Sequence, residues 1–239
     1  MSSSNLVFHN LLELLSIIST IGSFVLVWKS RKFLNNAYLV VIGIALFSVG
    51  LLEIAHALTN NMKAYQGYDD HNLHIQLWVA ARYVENVSFL VAPFLIGRRI
   101  NFAGTVTFYL LLTAFLFGAI FYWRFFPDCY IEASGLTNFE MESEYALSQM
   151  LVASIGLLLW RFSYFNRRVL LLLGAAMVSS MSSEISFSPY MRDYRFPGIA
   201  GHIFMGISYV LILLAIGLAS RLAHGHRYQE EAAASSING

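Results

Sequence analysis

Apolar runs long enough to cross a bilayer recur along the whole chain, and no other feature limits its fold so strongly. A helix needs about 20 such residues to span ~30 Å of hydrocarbon at ~1.5 Å per residue. Runs of that kind lie near residues 6–28, 37–58, 74–97, 102–123, 145–162, 169–190 and 199–222. Lipid offers the backbone no hydrogen-bond partners, so each run must close its bonds internally as a helix. The predicted fold class is therefore all-α: a polytopic membrane protein, a seven-transmembrane-helix bundle over residues 1–222, followed by a polar cytoplasmic linker or tail at 223–239. With 57% hydrophobic and 12% charged residues, the chain lacks the polar faces that a soluble bundle needs on most of its helices. The first run follows Met1-Ser2-Ser3-Ser4-Asn5 without a basic stretch or a clear cleavage site, and reads as a retained helix. Cys129 is the single cysteine, so no intrachain disulfide forms.

The basic residues orient the bundle. Lys29, Arg31 and Lys32 follow the first run, Arg98 and Arg99 the third, Arg167 and Arg168 the fifth, and Arg227 the seventh, all at one end. The opposite loops hold Lys63, Arg124, Arg192 and Arg195, but are longer and also carry Asp69, Asp70, Asp128, Glu132, Glu140, Glu142, Glu144 and Asp193. The expected topology is an outside N-terminus and a cytoplasmic C-terminus, with sequential helices packed as antiparallel neighbours across short cytoplasmic turns. The net charge of +1 says little about partners, and no nucleic-acid partner is expected.

Ionisable residues inside a span cost a few kcal/mol each unless paired or facing water. Here they are His9 and Glu13, Glu53 and His56, His74, Arg82 and Glu85 with Asn86, Glu184, and His202, each in the outer half of its helix under that orientation. Glu53 and His56 are three apart, as are Arg82 and Glu85, so each pair shares a helix face. Trp78, Arg82, Glu85 and Phe89 form one stripe, and Ser180, Glu184 and Phe187 another. The stripes point to a polar pocket near the outer surface, with Arg82 as counter-ion to one or more of Glu53, Glu85 and Glu184. The structural alternative is a buried pair that only fixes helix packing. His9 and His74 read as ordinary interfacial histidines.

Other chemistries were weighed on the same residues. A carboxylate-bridged di-metal site needs a second Glu-x-x-His pair, which the chain lacks. A metal held by His56, His74 and His202 is conceivable without tight ligand spacing to support it, and so is bis-histidine haem ligation by His56 and His202. A retinal Schiff base needs a lysine within the bundle, whereas Lys29, Lys32 and Lys63 all lie outside it. Intramembrane charges also suit a small-molecule or ion transporter, but the polar residues stop halfway and no interrupted helix pair repeats. Ser183 and Ser186 flank Glu184, yet serines in spans more often bond backbone carbonyls than act as hydrolase nucleophiles.

In order along the chain stand LLEIAHAL, QLWVAARYVENVSFLVAPFL, FPDCYIEASGLTNFEMESEY, SSEISFSPY and GHIFMGISYVLI. This ordered set, running from about Leu12 to about Leu222, resembles the third family of membrane-associated sensor domains. The resemblance implies a seven-helix input domain of the bacterial inner membrane. It would precede a histidine kinase, diguanylate cyclase or PAS module, in two-component or cyclic di-GMP signalling, and a homodimer is expected because such output modules work as dimers. Carried over by position, the family's polar residues are Glu53, His56, Gln76, Trp78, Arg82, Tyr83, Glu85, Glu184 and His202, and its motifs fix no ligand or cofactor. The sequence ends at Gly239 without an output domain, so it reads either as a fragment or as a stand-alone member with a separate partner. The expected function is detection of a small, lipid-like or protonic signal in the outer-half pocket, passed on through the seventh helix. Membrane lipid, an unidentified small ligand and a cytoplasmic output module are the expected partners, and no enzymatic activity is expected of this chain.

Overall fold

A computed structural model describes residues 3–66, 71–187 and 197–237. Those residues form seven α-helices: α1 (Ser3–Ser30), α2 (Ala37–Gln66), α3 (His71–Val91), α4 (Phe102–Phe117), α5 (Asn138–Trp160), α6 (Arg167–Phe187) and α7 (Pro197–Ile237). A two-stranded antiparallel hairpin, β1 (Tyr130–Ile131) and β2 (Gly135–Leu136), stands between α4 and α5, with Tyr130 opposite Leu136. The all-α expectation holds apart from this hairpin.

Among the described residues, five segments are long and apolar enough to cross a membrane: Val7–Ser30, Ala37–Thr59, Phe102–Tyr122, Arg167–Phe187 and Ile199–Gly225. The other two helices fall short in apolarity rather than length, at 21 residues for α3 and 23 for α5. Their polar side chains are hidden among other helices: Gln76, Arg82, Glu85 and Asn86 on α3, and Glu140, Ser143 and Glu144 on α5, are all buried. The outer surface is the inverse. Leu11, Ile18, Phe108, Leu111, Phe115, Val152, Leu171 and Val178 are exposed, which water would penalise and lipid would not.

The element ends have local causes. Asn101 caps α4 by accepting from the Gly104 N–H at 3.1 Å. Thr137 caps α5 by accepting from the Glu140 N–H at 3.3 Å, in a Thr-x-x-Glu start that puts the helix seven residues ahead of the expected 145. The third helix does not run on to residue 97 as its apolar run suggests. It stops at Val91, and Pro93, which has no N–H to give, sits in the first turn of a short 3₁₀ segment, Ala92–Leu95. The end of the sixth run, near residue 190, lies outside the described residues, as do Asp69, Asp70, Arg192, Asp193 and Arg195.

Packing departs from the sequential scheme at one place. Helices α1, α2, α3, α5, α6 and α7 form a closed ring in that order, with α7 returning to α1, while α4 stands outside and packs on α2. The reason lies in α4 itself, which is apolar all round and has no polar stripe to bring inside; only Tyr109 and Thr113 are buried along it. Its anchor is Tyr109, whose carbonyl accepts from Ser48 Oγ at 3.1 Å on α2 and whose hydroxyl meets Ser88 Oγ at 2.7 Å on α3. Helix α2 is the most enclosed, and its Tyr38, Leu39, Ile42, Leu46, Val49 and Leu52 form the middle of the apolar core with Leu77, Val84, Leu173, Met177, Ile212 and Ile216.

At one end of the ring, the loop before the hairpin is tied down on α3. Asn72 Oδ1 accepts from the N–H groups of Cys129 and Tyr130, at 2.7 and 3.0 Å, and Gln76 Nε2 donates to the carbonyls of Phe126 and Pro127. Cys129 is fully buried there, and desolvation, with the carboxylates of Glu140 and Asp128 adding to it, pushes its thiol up to about 12.

Candidate functional site

The charged residues of the spans meet inside the ring as a network on α2, α3, α6 and α7. Arg82 is its hub and is 1% exposed. One guanidinium nitrogen, Nη2, donates to Glu53 Oε1 at 2.7 Å on α2 and also to the Tyr209 hydroxyl on α7. The other, Nη1, pairs with Glu85 Oε2 at 2.7 Å, one turn along α3. Tyr209 closes a triangle by donating to Glu85 Oε2 at 3.2 Å. Glu184 on α6 is buried within the electrostatic reach of Arg82, Glu53 and Glu85. One guanidinium thus faces three carboxyl groups in a medium where charge is weakly screened. Among the described residues, Glu53 Oε2, Glu85 Oε1, both carboxyl oxygens of Glu184 and both amide atoms of Asn86 are buried without a hydrogen-bond partner. Buried acceptors of that kind are rare in folded proteins and ask for an explanation.

A second cluster lies beside the first. Glu13 Oε1 on α1 is 3.1 Å from His9 Nε2 and 3.5 Å from His56 Nε2. The rings of His56 and His74 stack with centroids 3.7 Å apart, and His56 Nδ1 is 2.9 Å from the carbonyl of His74. His202 on α7 meets His9 edge-on at 4.2 Å between centroids and Phe187 at 5.2 Å, and Phe187 in turn meets Trp78 at 5.2 Å. Gly201 makes room for that contact: a Cβ there would lie 2.5 Å from the Phe187 ring. The two clusters share α2, where Glu53 of the first and His56 of the second stand one turn apart.

Of the residues expected at the site, Glu53, Arg82, Glu85 and Glu184 come together in the first cluster, and His56 and His202 in the second, with Trp78 on its wall. Tyr83 does not join them. It projects from another face of α3 and donates to Ser143 Oγ at 3.0 Å on α5. Gln76 is taken up in holding the loop over α3. His9 and His74, read as ordinary interfacial histidines, each pair with another ring inside the second cluster. Glu13 and Tyr209 were missed as site residues. His9 and Glu13 at i and i+4 were a usable signal, whereas a tyrosine in an apolar helix carries none. Among the described residues no group of three or more His, Cys, Asp or Glu is arranged to hold a metal ion. His56 and His74 stack on each other, and His202 packs edge-on against His9 and Phe187. Ser183 donates to the carbonyl of Gly201 on α7 at 2.8 Å, tying the two helices together, and Ser186 donates to the carbonyl of Ser182 within α6 at 2.7 Å, the backbone bonds expected of serines in a span.

No curated protein and no solved structure matches the chain. The MASE3 family, a membrane-associated sensor domain, matches residues 1–220. That match covers both clusters, α1 through α6 and α7 as far as residue 220, and the chain belongs to the MASE3 family of membrane-associated sensor domains.

Proposed function

We propose that the chain is a multi-pass input domain of the bacterial inner membrane, in which the buried network on α2, α3, α6 and α7 is the sensing element and α7 the output. All seven helices cross the bilayer, with the N-terminus outside and the C-terminus in the cytoplasm. The observation that carries the reading is the continuity of α7. A single helix of 41 residues bears His202 and Tyr209 inside the two clusters and continues past the apolar span, which ends at Gly225, to Ile237. A rigid rod of about 60 Å therefore has one end in the charged network and the other beyond the membrane.

The chemistry of the network suits a small, lipid-like or protonic signal. Three carboxyl groups against one guanidinium, with several acceptors unpaired, take up a proton or a hydrogen-bonding ligand at a site where either changes the balance of forces on Tyr209. Such a signal biases two arrangements of α7 by the difference in its affinity for them. The output is read by a histidine kinase, diguanylate cyclase or PAS module, in the same chain or in a partner, working as a dimer. Trp78, Phe187 and His202 form the aromatic wall of the sensing region, and Tyr83 ties α3 to α5 beside it.

The test is a fusion of the chain beyond Ile237 to a histidine kinase module, with autophosphorylation measured in membranes. Glu53→Gln and Tyr209→Phe are expected to change kinase output several-fold and to blunt its response to acidification, while Arg98→Gln, on an exposed turn, leaves both as they were. Wild-type output from both network variants, at equal membrane insertion, overturns the assignment.

A further inference from the structure

Apart from the buried network, one surface of the bundle combines shape and charge in a way that selects a ligand. Between α1 and α7 runs a groove of about 880 Å³, apolar along its walls and bounded at one end by Arg221 and His224. It extends along α1 from Ile17 to Leu26 and along α7 from Leu213 to His224. At ~1.5 Å per residue those stretches are roughly 14 to 16 Å long, about half of a ~30 Å hydrocarbon core. The groove is therefore as deep as one leaflet. Its charged end falls just inside the limit of the apolar span of α7, Gly225, where headgroups begin.

Two glycines shape it. A Cβ at Gly22 would lie 3.3 Å from Leu213 Cδ1, so the helices approach closely there. A Cβ at Gly217 would lie 3.5 Å from Leu26 Cδ1, ordinary contact, so this glycine leaves open volume rather than avoiding a clash. Arg221 is exposed at the rim and makes no ion pair with any described residue. An arginine offers five donors in a planar fork suited to a phosphate. The same end of the bundle carries Lys29, Arg31, Lys32, Arg98, Arg99, Arg167 and Arg168, a basic field that favours anionic headgroups over zwitterionic ones.

We propose that the α1–α7 groove is a binding site for an anionic phospholipid of the adjacent leaflet, its acyl chain along Gly22 and Gly217 and its phosphate on Arg221. The site lies on the helix that carries His202 and Tyr209, so lipid charge adjusts the resting position of α7 independently of the buried network. A second copy of the chain fits the apolar walls but leaves the arginine without a counter-charge.

The test uses native mass spectrometry of the purified chain in detergent supplemented with phosphatidylglycerol or phosphatidylcholine. One phosphatidylglycerol should be retained in preference to phosphatidylcholine by about fivefold, the scale of one basic residue at an anionic surface. Arg221→Gln should abolish the preference and Arg221→Lys should keep most of it. Gly217→Leu should reduce retention of both lipids. Equal retention of both lipids by the wild type overturns the proposal, as does a preference that survives Arg221→Gln. A dimer that weakens with Gly217→Leu and is indifferent to lipid also overturns it and gives the groove to a second copy.

Discussion

Arg82 is the residue on which the interior depends. It satisfies Glu53, Glu85 and Tyr209 at once, and nothing else among the described residues of the network is cationic by default. Removing one member of a buried ion pair leaves the others charged and unpaired, at a cost of ~3–5 kcal/mol. Arg82→Leu should therefore lose most of its folded yield, read as monodisperse protein on size exclusion. The triple variant Arg82→Leu, Glu53→Gln, Glu85→Gln should recover much of it, because the carboxylates go with their partner. If the single variant is as stable as wild type, Arg82 is not the hub. Tyr209→Phe is gentler: it deletes one hydroxyl that accepts from Arg82 and donates to Glu85, and should cost ~1–2 kcal/mol in thermal unfolding. Outside the spans, Cys129 makes a separate prediction. A thiol pushed up to about 12 carries roughly a thousandth of the thiolate of an ordinary cysteine near neutral pH. Maleimide labelling of the native protein should be slower than that of the denatured protein by about that factor, and comparable rates would contradict the buried placement.

At the scale of elements, the glycine at the start of α7 and the cap of α5 are the points where single atoms decide geometry. Gly201→Ala forces the Phe187 ring away and with it the contacts to His202 and Trp78, an overpacking cost of ~1–3 kcal/mol. Differential scanning fluorimetry on Gly201→Ala, alone and with Phe187→Leu, checks this: the second change should recover part of the loss. The elements also show where sequence reasoning worked. Burial cost alone picked out Glu53, Arg82, Glu85 and Glu184, because a charge in an apolar run must have a partner, and those four converge. It was silent on Tyr209, whose hydroxyl costs little until its neighbours are known. The place of α4 outside the ring was equally hidden, since a helix apolar on every side does not reveal which side it buries. The helix starts at His71 and Asn138 precede the apolar runs that flagged them because polar residues open both helices: Asn72 and Gln76 hold the loop on α3, and Thr137 caps α5.

For the whole molecule, closure of the ring is what, in the proposed function, turns a local change into an output. Helix α7 packs on both α6 and α1, and its hydroxyl at Tyr209 binds residues of α3. Any change in the charge of the network therefore acts on a helix that continues intact to Ile237. The central claim is that this network sets the position of α7. It is tested most directly by the distance between nitroxides at Arg167→Cys on α6 and Leu222→Cys on α7, both exposed at the same end of the bundle, in a Cys129→Ser background. Pulsed electron paramagnetic resonance in nanodiscs should show a shift of about 1–2 Å, the scale of helix movements in switching, when Glu53→Gln or Tyr209→Phe is introduced. Tyr83→Phe, which removes only a hydroxyl bonded to Ser143 on α5, should leave the distribution in place. Superimposable distributions for both network variants, in folded protein, would contradict the account.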